Sequence, residues 1–449
     1  MSEFRDGETS IVAYHLPEQL VRRIILLGLL GIFCLSGNAA NDGLSLTKAL
    51  SEAKAQSPVY QRLAAASDEA SWKPLEAVSV NLPKLTASAN HFFSLKYQSL
   101  DINFGGQPAT FPLVYPQSNI TLGVSWTVFD GFQGLTAFSG ARLLRSAADK
   151  ELAHGEDELR AEISLKYFKA LAAQLLLSVA EENVKTLQDH LAKIQILLKG
   201  GAATKFDLLR VKVQLEEALP EREASEDNVF LTRRQLAQAM GIENDTRPLE
   251  DKLPVPKPAD MPKTTTQDLS KRLDILALQE KAEAAHGKHL SAMGSYLPRV
   301  GFTAQKDFYN NNDSSLSDNI KDSYSVGVFL TWNLLDFGNI ARSQIALHQE
   351  KQAEAGARAA VLKASVDLEL WRRRYLYNIS LFSAKGRAIE SAEESVRLAK
   401  LGLDSGTRTN TEVLDAALDL FRARAGEVRA QVEAAEALIN LKLTLGERI

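Results

Sequence analysis

Apolar and polar residues alternate strictly over two short stretches of this chain, which predicts two β-strands that each have one apolar face. The apolar residues of the first stretch are Ile120, Leu122, Val124, Trp126 and Val128. Those of the second are Tyr324, Val326, Val328, Leu330, Trp332 and Leu334. Less regular partner strands begin at Leu85 and Val300, so each half of the chain is predicted to hold one hairpin.

The four predicted strands have the length and the alternation of transmembrane β-strands. A membrane sheet cannot keep open edges and four strands cannot close a barrel, so a spanning sheet requires several chains to share one barrel. A soluble sandwich or a pair of soluble hairpins fits the same alternation, and the pattern alone leaves both possibilities open. The intervening loops, 94–117 and 310–323, differ in character: the first carries prolines and aromatic residues and the second is polar.

Helical spacing dominates the rest of the chain. Residues Gln133 to Lys199 contain no proline and predict one helix of about 100 Å at 1.5 Å per residue. Its counterpart in the second half is Asn339 to Leu403. Shorter helices are predicted at Leu44 to Val80, with a kink at Pro74, and at Thr204 to Met240, Leu269 to Tyr296 and Thr409 to Leu445. The Ala, Leu, Glu, Lys and Arg content of the long helices is typical of coiled coils.

The two long helices are each predicted to end in a tight turn. Gly201 and Gly406 suit the left-handed residue that closes a helix, and Thr204 and Thr409 follow three residues later as N-caps. Asp207 and Glu412 stand three residues further on, which completes the capping-box pattern at both turns.

These similarities indicate an internal repeat. The turns lie 205 residues apart, Trp126 and Asp130 lie 206 residues before Trp332 and Asp336, and the Leu-Pro steps at Leu82 and Leu297 lie 215 apart. The chain is therefore predicted to contain a first repeat at 41–242, a linker at 243–268 and a second repeat at 269–449. The linker holds five of the 14 prolines and is interpreted as a connection rather than as part of a core.

Residues 1–40 are interpreted as an N-terminal extension followed by a secretory signal. Arg22 and Arg23 precede an apolar run from Ile24 to Leu35, and small residues follow up to Ala40. The acidic segment before Val21 predicts that translation starts at Val21. The single cysteine, Cys34, follows the bulky Phe33, so acylation is not expected. Beyond this run, the sequence holds no stretch of about 20 uninterrupted apolar residues.

Charge and side-chain chemistry point away from an enzyme or a nucleic-acid-binding protein. The formal net charge is −4, and the sequence carries no phosphate-binding glycine loop and no nucleophile elbow. Glu283, His286 and His289 are spaced too widely around a helix to meet at one metal, so a solvated face is expected. No cofactor, metal or nucleic-acid partner is expected.

Over almost its whole mature length the chain resembles the TolC-like outer membrane efflux protein family. The resemblance rests on the opening Leu46-Thr-Lys-Ala-Leu with Ser57-Pro58, the Leu-Pro steps, the strand-to-helix junctions, the paired turns and the closing Gly446. The most specific match is Gly406-Thr-Arg-Thr with Val413-Leu-Asp. The resemblance implies an α+β membrane protein: a homotrimer whose chains each give four strands to a twelve-stranded barrel continuous with a long α-helical coiled-coil tunnel.

The resemblance also implies a non-enzymatic exit duct for efflux or type I secretion, located in the cell outer membrane and extending into the periplasm. Its partners are a periplasmic adaptor and an inner membrane pump, and the sequence does not identify the cargo. Ile120, Leu122, Val124, Trp126, Val326, Val328, Leu330 and Trp332 are then expected to face outer membrane lipid. A periplasmic coiled-coil scaffold or adaptor with soluble strands is the alternative.

A periplasmic gate at the turns follows from the same resemblance. Arg408 and Asp207 match the residues that link neighbouring chains in family members, and Glu412 and Asp415 match their acidic rings. Leu403 stands where many relatives have a tyrosine that joins this network, so the closing network is expected to be weaker here or built differently.

Overall fold

A computed structural model describes residues 43–93, 98–113, 118–262, 269, 271–310 and 322–447. The predicted signal segment lies outside these residues. Within them the helices are α1 (Leu46–Gln56), α2 (Pro58–Ser79), α3 (Gln133–Lys199), α4 (Lys205–Met240), α5 (Leu273–Gly294), α6 (Phe337–Asp404) and α7 (Asn410–Leu445). The strands are β1 (Lys84–His91), β2 (Gln98–Phe104), β3 (Gln107–Leu113), β4 (Ser118–Phe129), β5 (Arg299–Asn310) and β6 (Asp322–Thr331).

The two long helices match their predictions closely. Helix α3 has 67 residues and α6 has 68, so each is about 100 Å long. Helix α3 packs against α2, α4, α5 and α7, and α6 packs against α5 and α7. Pro74 lies within α2, as predicted, and Pro220 lies within α4. An 18-residue window of α3 is apolar enough to cross a membrane by length and composition, but 44% of it is buried within the protein.

Four strands form one antiparallel sheet in the order β1-β4-β5-β6. Lys84 lies opposite Ser125 in the first hairpin, and Arg299 lies opposite Thr331 in the second. These two pairs are related by the same offsets, 215 and 206 residues, that align the halves of the sequence. The strands of the two hairpins therefore pair in equivalent registers. Strands β1 and β6 form the two edges of this sheet.

The first half contains an additional hairpin that the sequence analysis missed. Strands β2 and β3 pair with each other within the predicted loop 94–117 and form a separate two-stranded sheet. A turn at Gly105 and Gly106, both with positive φ, joins them. This insertion lies between the Leu82-Pro83 step and Trp126, where the offset between the two halves changes from 215 to 206 residues.

Two further predictions need correction. Strand β6 ends at Thr331, so Trp332 and Leu334 lie beyond it. The segment 243–268 was interpreted as a connection outside the core, but Leu253 is 6% exposed and packs in a cluster with α1 and α3. Arg247 fixes this segment to α1 through two bonds to the Glu52 carboxylate, of 2.8 and 2.7 Å. Its prolines disfavour an α-helix, and the structure has only a short 3₁₀ helix at Pro258–Asp260 within the described part of this segment, but they do not prevent burial of Leu253.

Candidate functional site at the two helical turns

The first turn joins α3 to α4. Gly201 has φ +73°, which an L side chain rarely adopts, and it closes α3. Thr204 is the N-cap of α4: its hydroxyl accepts the Asp207 backbone N–H at 3.2 Å, and the Asp207 carboxylate accepts the Thr204 backbone N–H at 2.9 Å. Hydrogen bonds from Thr204 lower the pKa of Asp207. Capping therefore stabilises the ionised form of the Asp207 carboxylate.

The second turn, from α6 to α7, repeats this arrangement. Gly406 has φ +69°, and Thr409 and Glu412 form the capping box, with the Thr409 N–H donating to Glu412 Oε2 at 2.7 Å. This backbone bond is the main reason that the pKa of Glu412 is lowered. Both turns thus form the caps that the sequence predicts, and both carboxylates are engaged in them.

Arg408 is held against the end of α6. Its backbone N–H donates to the Gly402 carbonyl at 3.1 Å, and its side chain runs directly over Gly402. A Cβ at position 402 would lie 2.6 Å from Arg408 Cγ, so glycine is what allows this approach. Within the chain, Arg408 Nη1 lies 3.4 Å from Glu412 Oε1 and both side chains are about half exposed. The structure of one chain does not bring Arg408 to Asp207.

A buried polar link joins the two turns. His190 of α3 and Asn410 of α7 are 7% and 4% exposed, and His190 Nε2 lies 2.7 Å from Asn410 Oδ1. The amide oxygen can only accept, so His190 donates. Asn410 Nδ2 in turn donates to the Asp207 carbonyl at 3.2 Å. The backbone at Asp207 is thereby fixed to the second turn.

The internal repeat does not produce a second copy of this link. The positions equivalent to His190 and Asn410 at the 205-residue offset are Ser395 and Lys205, which cannot make the same bonds. The sequence does not predict this contact, because 220 positions separate His190 from Asn410. A polar histidine at an apolar position of α3 was the only available signal.

Apolar packing reinforces the contact between the hairpins. Leu403 is partly buried and packs against two clusters, one around Val211 and Leu414 and the other around Val396 and Val413. Lys193 of α3 also forms an ion pair with Asp404 of α6. Leu403 therefore contributes hydrophobic contacts, whereas the tyrosine that the resemblance places at this position would contribute a hydroxyl.

The first turns of α7 carry an acidic face. Glu412, Asp415 and Asp419 recur at intervals of three and four residues, so they share one side of the helix, and all three are exposed. Within the described part of the chain, Asp415 and Asp419 make no hydrogen bond or ion pair. Asp419 was not among the predicted residues, although its spacing from Asp415 was available in the sequence.

The predicted apolar strand face is exposed to solvent in the single chain. The exposed large residues of this face are Ile120, Leu122, Trp126, Val128, Tyr324, Val326, Val328 and Leu330. Val124 is partly exposed, and Trp332 and Leu334, beyond β6, are exposed as well. The pairing of Val124 with Ala304, and of Ala304 with Val326, places these residues side by side across the sheet.

The opposite face of the sheet is polar. Thr121 donates to Asp307 Oδ1 at 2.5 Å, and Gln305 Nε2 donates to both oxygens of the same carboxylate at 3.0 and 2.9 Å. The apolar face ends at a charged pair, Lys306 and Asp322, 3.1 Å apart, with the lysine also 5.1 Å from the Phe308 ring. The sheet thus has an apolar side, a polar side and a charged boundary near one end of the strands.

One interpretation of the histidines was wrong. His286 and His289 were expected on a solvated helix face, but both contact Glu350 of α6, and His289 is only 17% exposed. The acid that joins them is not Glu283. Sequence spacing within α5 could not reveal a partner on another helix.

Comparison with known proteins agrees with this architecture. The family model for the outer membrane efflux protein matches residues 49–242 and 265–447. The chain is 22% identical to outer membrane protein TolC of Vibrio cholerae, with 90% of each protein covered, and 24% identical to the proteases secretion protein PrtF of Dickeya chrysanthemi, with 67% of this chain and 66% of PrtF covered. The crystal structure of VceC from Vibrio cholerae superposes with a TM-score of 0.75 at 18% identity, covering 90% of this chain and 96% of VceC.

VceC is described as an outer membrane protein, and its structure shares the fold of this chain. Because the family model matches well over half of the chain, in both of its halves, this protein belongs to the outer membrane efflux protein family and is located in the outer membrane.

Proposed function

We propose that three copies of this chain form a passive outer membrane channel for efflux or type I secretion, which receives its cargo through a periplasmic adaptor from an inner membrane pump. The observation that carries the proposal is a four-stranded antiparallel sheet whose outer edges, β1 and β6, have no strand partner within the described residues, and whose apolar face is exposed. In a bilayer both features are costly unless further strands close the sheet and lipid covers that face.

The strand order supports closure by identical chains. The sheet has an even number of alternating strands, so β6 of one copy can pair with β1 of the next without interrupting the antiparallel pattern. Repetition around a three-fold axis gives twelve strands, and it leaves no open edge. The polar face that contains Thr121, Gln305 and Asp307 then lines the lumen.

At the other end of the helices, we propose that Arg408 links to Asp207 of a neighbouring copy and that Glu412 and Asp415 form acidic rings. The support is the position of these groups. All lie in the turns or in the first two helical turns that follow them, and the ion pair that Arg408 makes within the described part of its own chain is long and exposed. Symmetry repeats each charge around the axis, so a ring of carboxylates raises the local cation concentration.

Disulfide cross-linking between the sheet edges tests the channel proposal. In a Cys34→Ser background, Ala87→Cys on β1 is combined in turn with Val326→Cys and with Val328→Cys on β6, and the outer membrane fraction is oxidised. At least one pair is expected to give linked dimers and trimers on a non-reducing gel, whereas the single-cysteine variants give no trimers. Failure of every pair, together with recovery of the protein in the soluble periplasm without detergent, would favour a soluble scaffold instead.

A further inference from the structure

The facing surfaces of α5 and α6 bring two imidazoles and one carboxylate together. His286 and His289 lie three residues apart on α5 and therefore share one side of that helix. Glu350 of α6 lies between them: His286 Nδ1 is 2.7 Å from Oε1, and His289 Nδ1 is 2.7 Å from Oε2. The potential ligand atoms of the three residues all lie within 4.8 Å of one another.

This spacing is close to what a tetrahedral metal requires. Metal bonds of about 2.0 to 2.2 Å to nitrogen and oxygen place neighbouring ligand atoms about 3.3 Å apart. Each imidazole nitrogen needs to separate by about 0.6 Å from the carboxylate oxygen that it now contacts, and the most distant ligand atoms need to approach each other by up to about 1.5 Å, which side-chain rotation can provide. The backbones of α5 and α6 therefore already have a suitable separation.

The exposure of the three side chains differs in a way that suits a bound ion. His289 and Glu350 are 17% and 13% exposed, whereas His286 is 57% exposed. Two ligands are thus fixed between the helices and the third lies at the surface, where solvent can supply the fourth ligand. The adjacent ammonium of Lys288 donates to Gln349 Oε1 at 2.9 Å rather than to Glu350.

We propose that His286, His289 and Glu350 form a binding site for a divalent transition-metal ion that bridges α5 and α6. Two imidazoles and a carboxylate suit Zn²⁺, Co²⁺, Ni²⁺ or Cu²⁺, whereas Mg²⁺ and Ca²⁺ prefer sites made entirely of oxygen. The site is independent of the proposed transport function, because it requires only the packing of these two helices.

The position of the site gives the metal a structural role. Helix α5 leads into β5, and α6 begins shortly after β6. An ion bound to both helices joins the two helices at the base of the second hairpin of the sheet. A bound ion stabilises the folded state in proportion to its affinity and concentration, so it should raise the melting temperature of the assembled protein.

Cobalt titration of the full-length detergent-purified protein tests this site. The protein is prepared without a polyhistidine tag and stripped with a chelator, and Co²⁺ is added while the visible absorption of tetrahedral cobalt is recorded. About one ion per chain is expected, displaceable by Zn²⁺, together with a metal-dependent rise in melting temperature. His348→Ala is the matched control, because this exposed histidine lies on α6 two residues from Glu350 and outside the cluster.

His289→Ala and Glu350→Gln are expected to lower cobalt affinity by more than about tenfold, while His348→Ala binds like the wild type. Glu350→Gln preserves side-chain shape, so it provides the answer if His289→Ala fails to assemble. The absence of cobalt uptake by the wild-type protein would overturn the proposal. Uptake that is unchanged in Glu350→Gln would overturn it equally, since the ion would then bind elsewhere.

Discussion

Trp126 donates its indole N–H to the backbone carbonyl of Asn81 at 2.9 Å, and this bond ties β4 to the end of α2. The second half repeats the contact, with Trp332 Nε1 donating to the Tyr296 carbonyl at 3.0 Å. The donors are 206 residues apart and the acceptors 215, the same offsets that relate the strands. Each tryptophan thus joins the end of a strand to the helix that precedes its hairpin.

Trp126→Phe and Trp332→Phe should each destabilise the assembled protein by about 1 kcal/mol, because the ring is retained but a hydrogen bond is lost. The destabilisation of the double variant should be roughly the sum of the two single effects, since the two tryptophans share no hydrogen-bond partner. Melting temperatures of the detergent-solubilised protein, followed by circular dichroism, measure the effect. An unchanged melting temperature in the double variant would contradict a stabilising role for the two indole N–H bonds.

The long elements of this fold were predictable because their signals are local. An uninterrupted helical pattern without proline predicted Gln133–Lys199 to the residue, and the Gly-Thr-carboxylate spacing predicted both caps. Contacts between distant elements left no such signal. His190 meets Asn410, and Glu350 meets His286, only because separate helices pack in one particular register.

The predictions also differed from the structure where apolar and polar residues follow no regular pattern or continue a pattern past the end of an element. The β2–β3 hairpin interrupts a stretch whose prolines and aromatic residues obscure alternation, so it was taken for a loop. Leu253 is buried although its neighbours suit a linker, because burial of an isolated leucine requires no periodic pattern. Trp332 continues the alternation of β6 beyond the point where strand pairing ends.

Adjacent residues of β6 provide a direct test of the strand faces. Val326 belongs to the apolar face and Ser325 to the polar face, and both are exposed in the single chain. A lysine facing lipid near mid-depth costs about 2 to 4 kcal/mol, so Val326→Lys should strongly reduce assembly in the outer membrane. Ser325→Lys should assemble normally, because its side chain would face the lumen of the proposed barrel. Equal yields of heat-resistant trimer from the two variants would show that the faces were assigned incorrectly.

The buried link between the turns predicts a dependence of stability on pH. Burial lowers the pKa of His190, and the nearby Lys193 and Lys400 lower it further, although its bond to Asn410 acts in the opposite direction. The unfolded chain therefore takes up this proton at a higher pH than the folded chain. The contribution of His190 is complete above its ordinary pKa of about 6.5 and is lost progressively as the pH falls below that value.

His190→Gln isolates this contribution, because glutamine can donate to Asn410 without titrating in this range. When the pH is lowered from about 7.5 to about 5.5, the melting temperature should decrease more for the wild type than for His190→Gln. All other ionisable groups are common to both proteins, so their contributions cancel in the comparison. Identical pH dependence in the two would mean that His190 does not titrate differently in the folded state.

Arg408→Ser tests the proposed link between chains. The ion pair of Arg408 within its own chain is long and exposed, so its loss should leave the melting temperature nearly unchanged. If Arg408 holds neighbouring copies together at the turns, single-channel conductance in planar bilayers should nevertheless rise. Arg397→Ser is the matched control, because Arg397 makes an exposed pair with Glu394 on α6, before the turn. An unchanged conductance in Arg408→Ser would remove Arg408 from the gate.

Asp415→Asn tests the acidic ring separately from helix capping. Glu412 is part of the capping box, so its replacement would combine an electrostatic effect with the loss of a hydrogen bond from the cap. Asp415 is exposed and outside the cap, and the change to asparagine removes its charge with little change in shape. If three copies of Asp415 surround the channel mouth, the variant should be less selective for cations, as measured by the reversal potential in a salt gradient. Adding Asp419→Asn should lower the selectivity further, because Asp419 lies on the same helix face.

Glu223→Gln, which neutralises an exposed carboxylate midway along α4, should leave the reversal potential unchanged. An Asp415→Asn channel with wild-type selectivity would show that these carboxylates do not surround the permeation path.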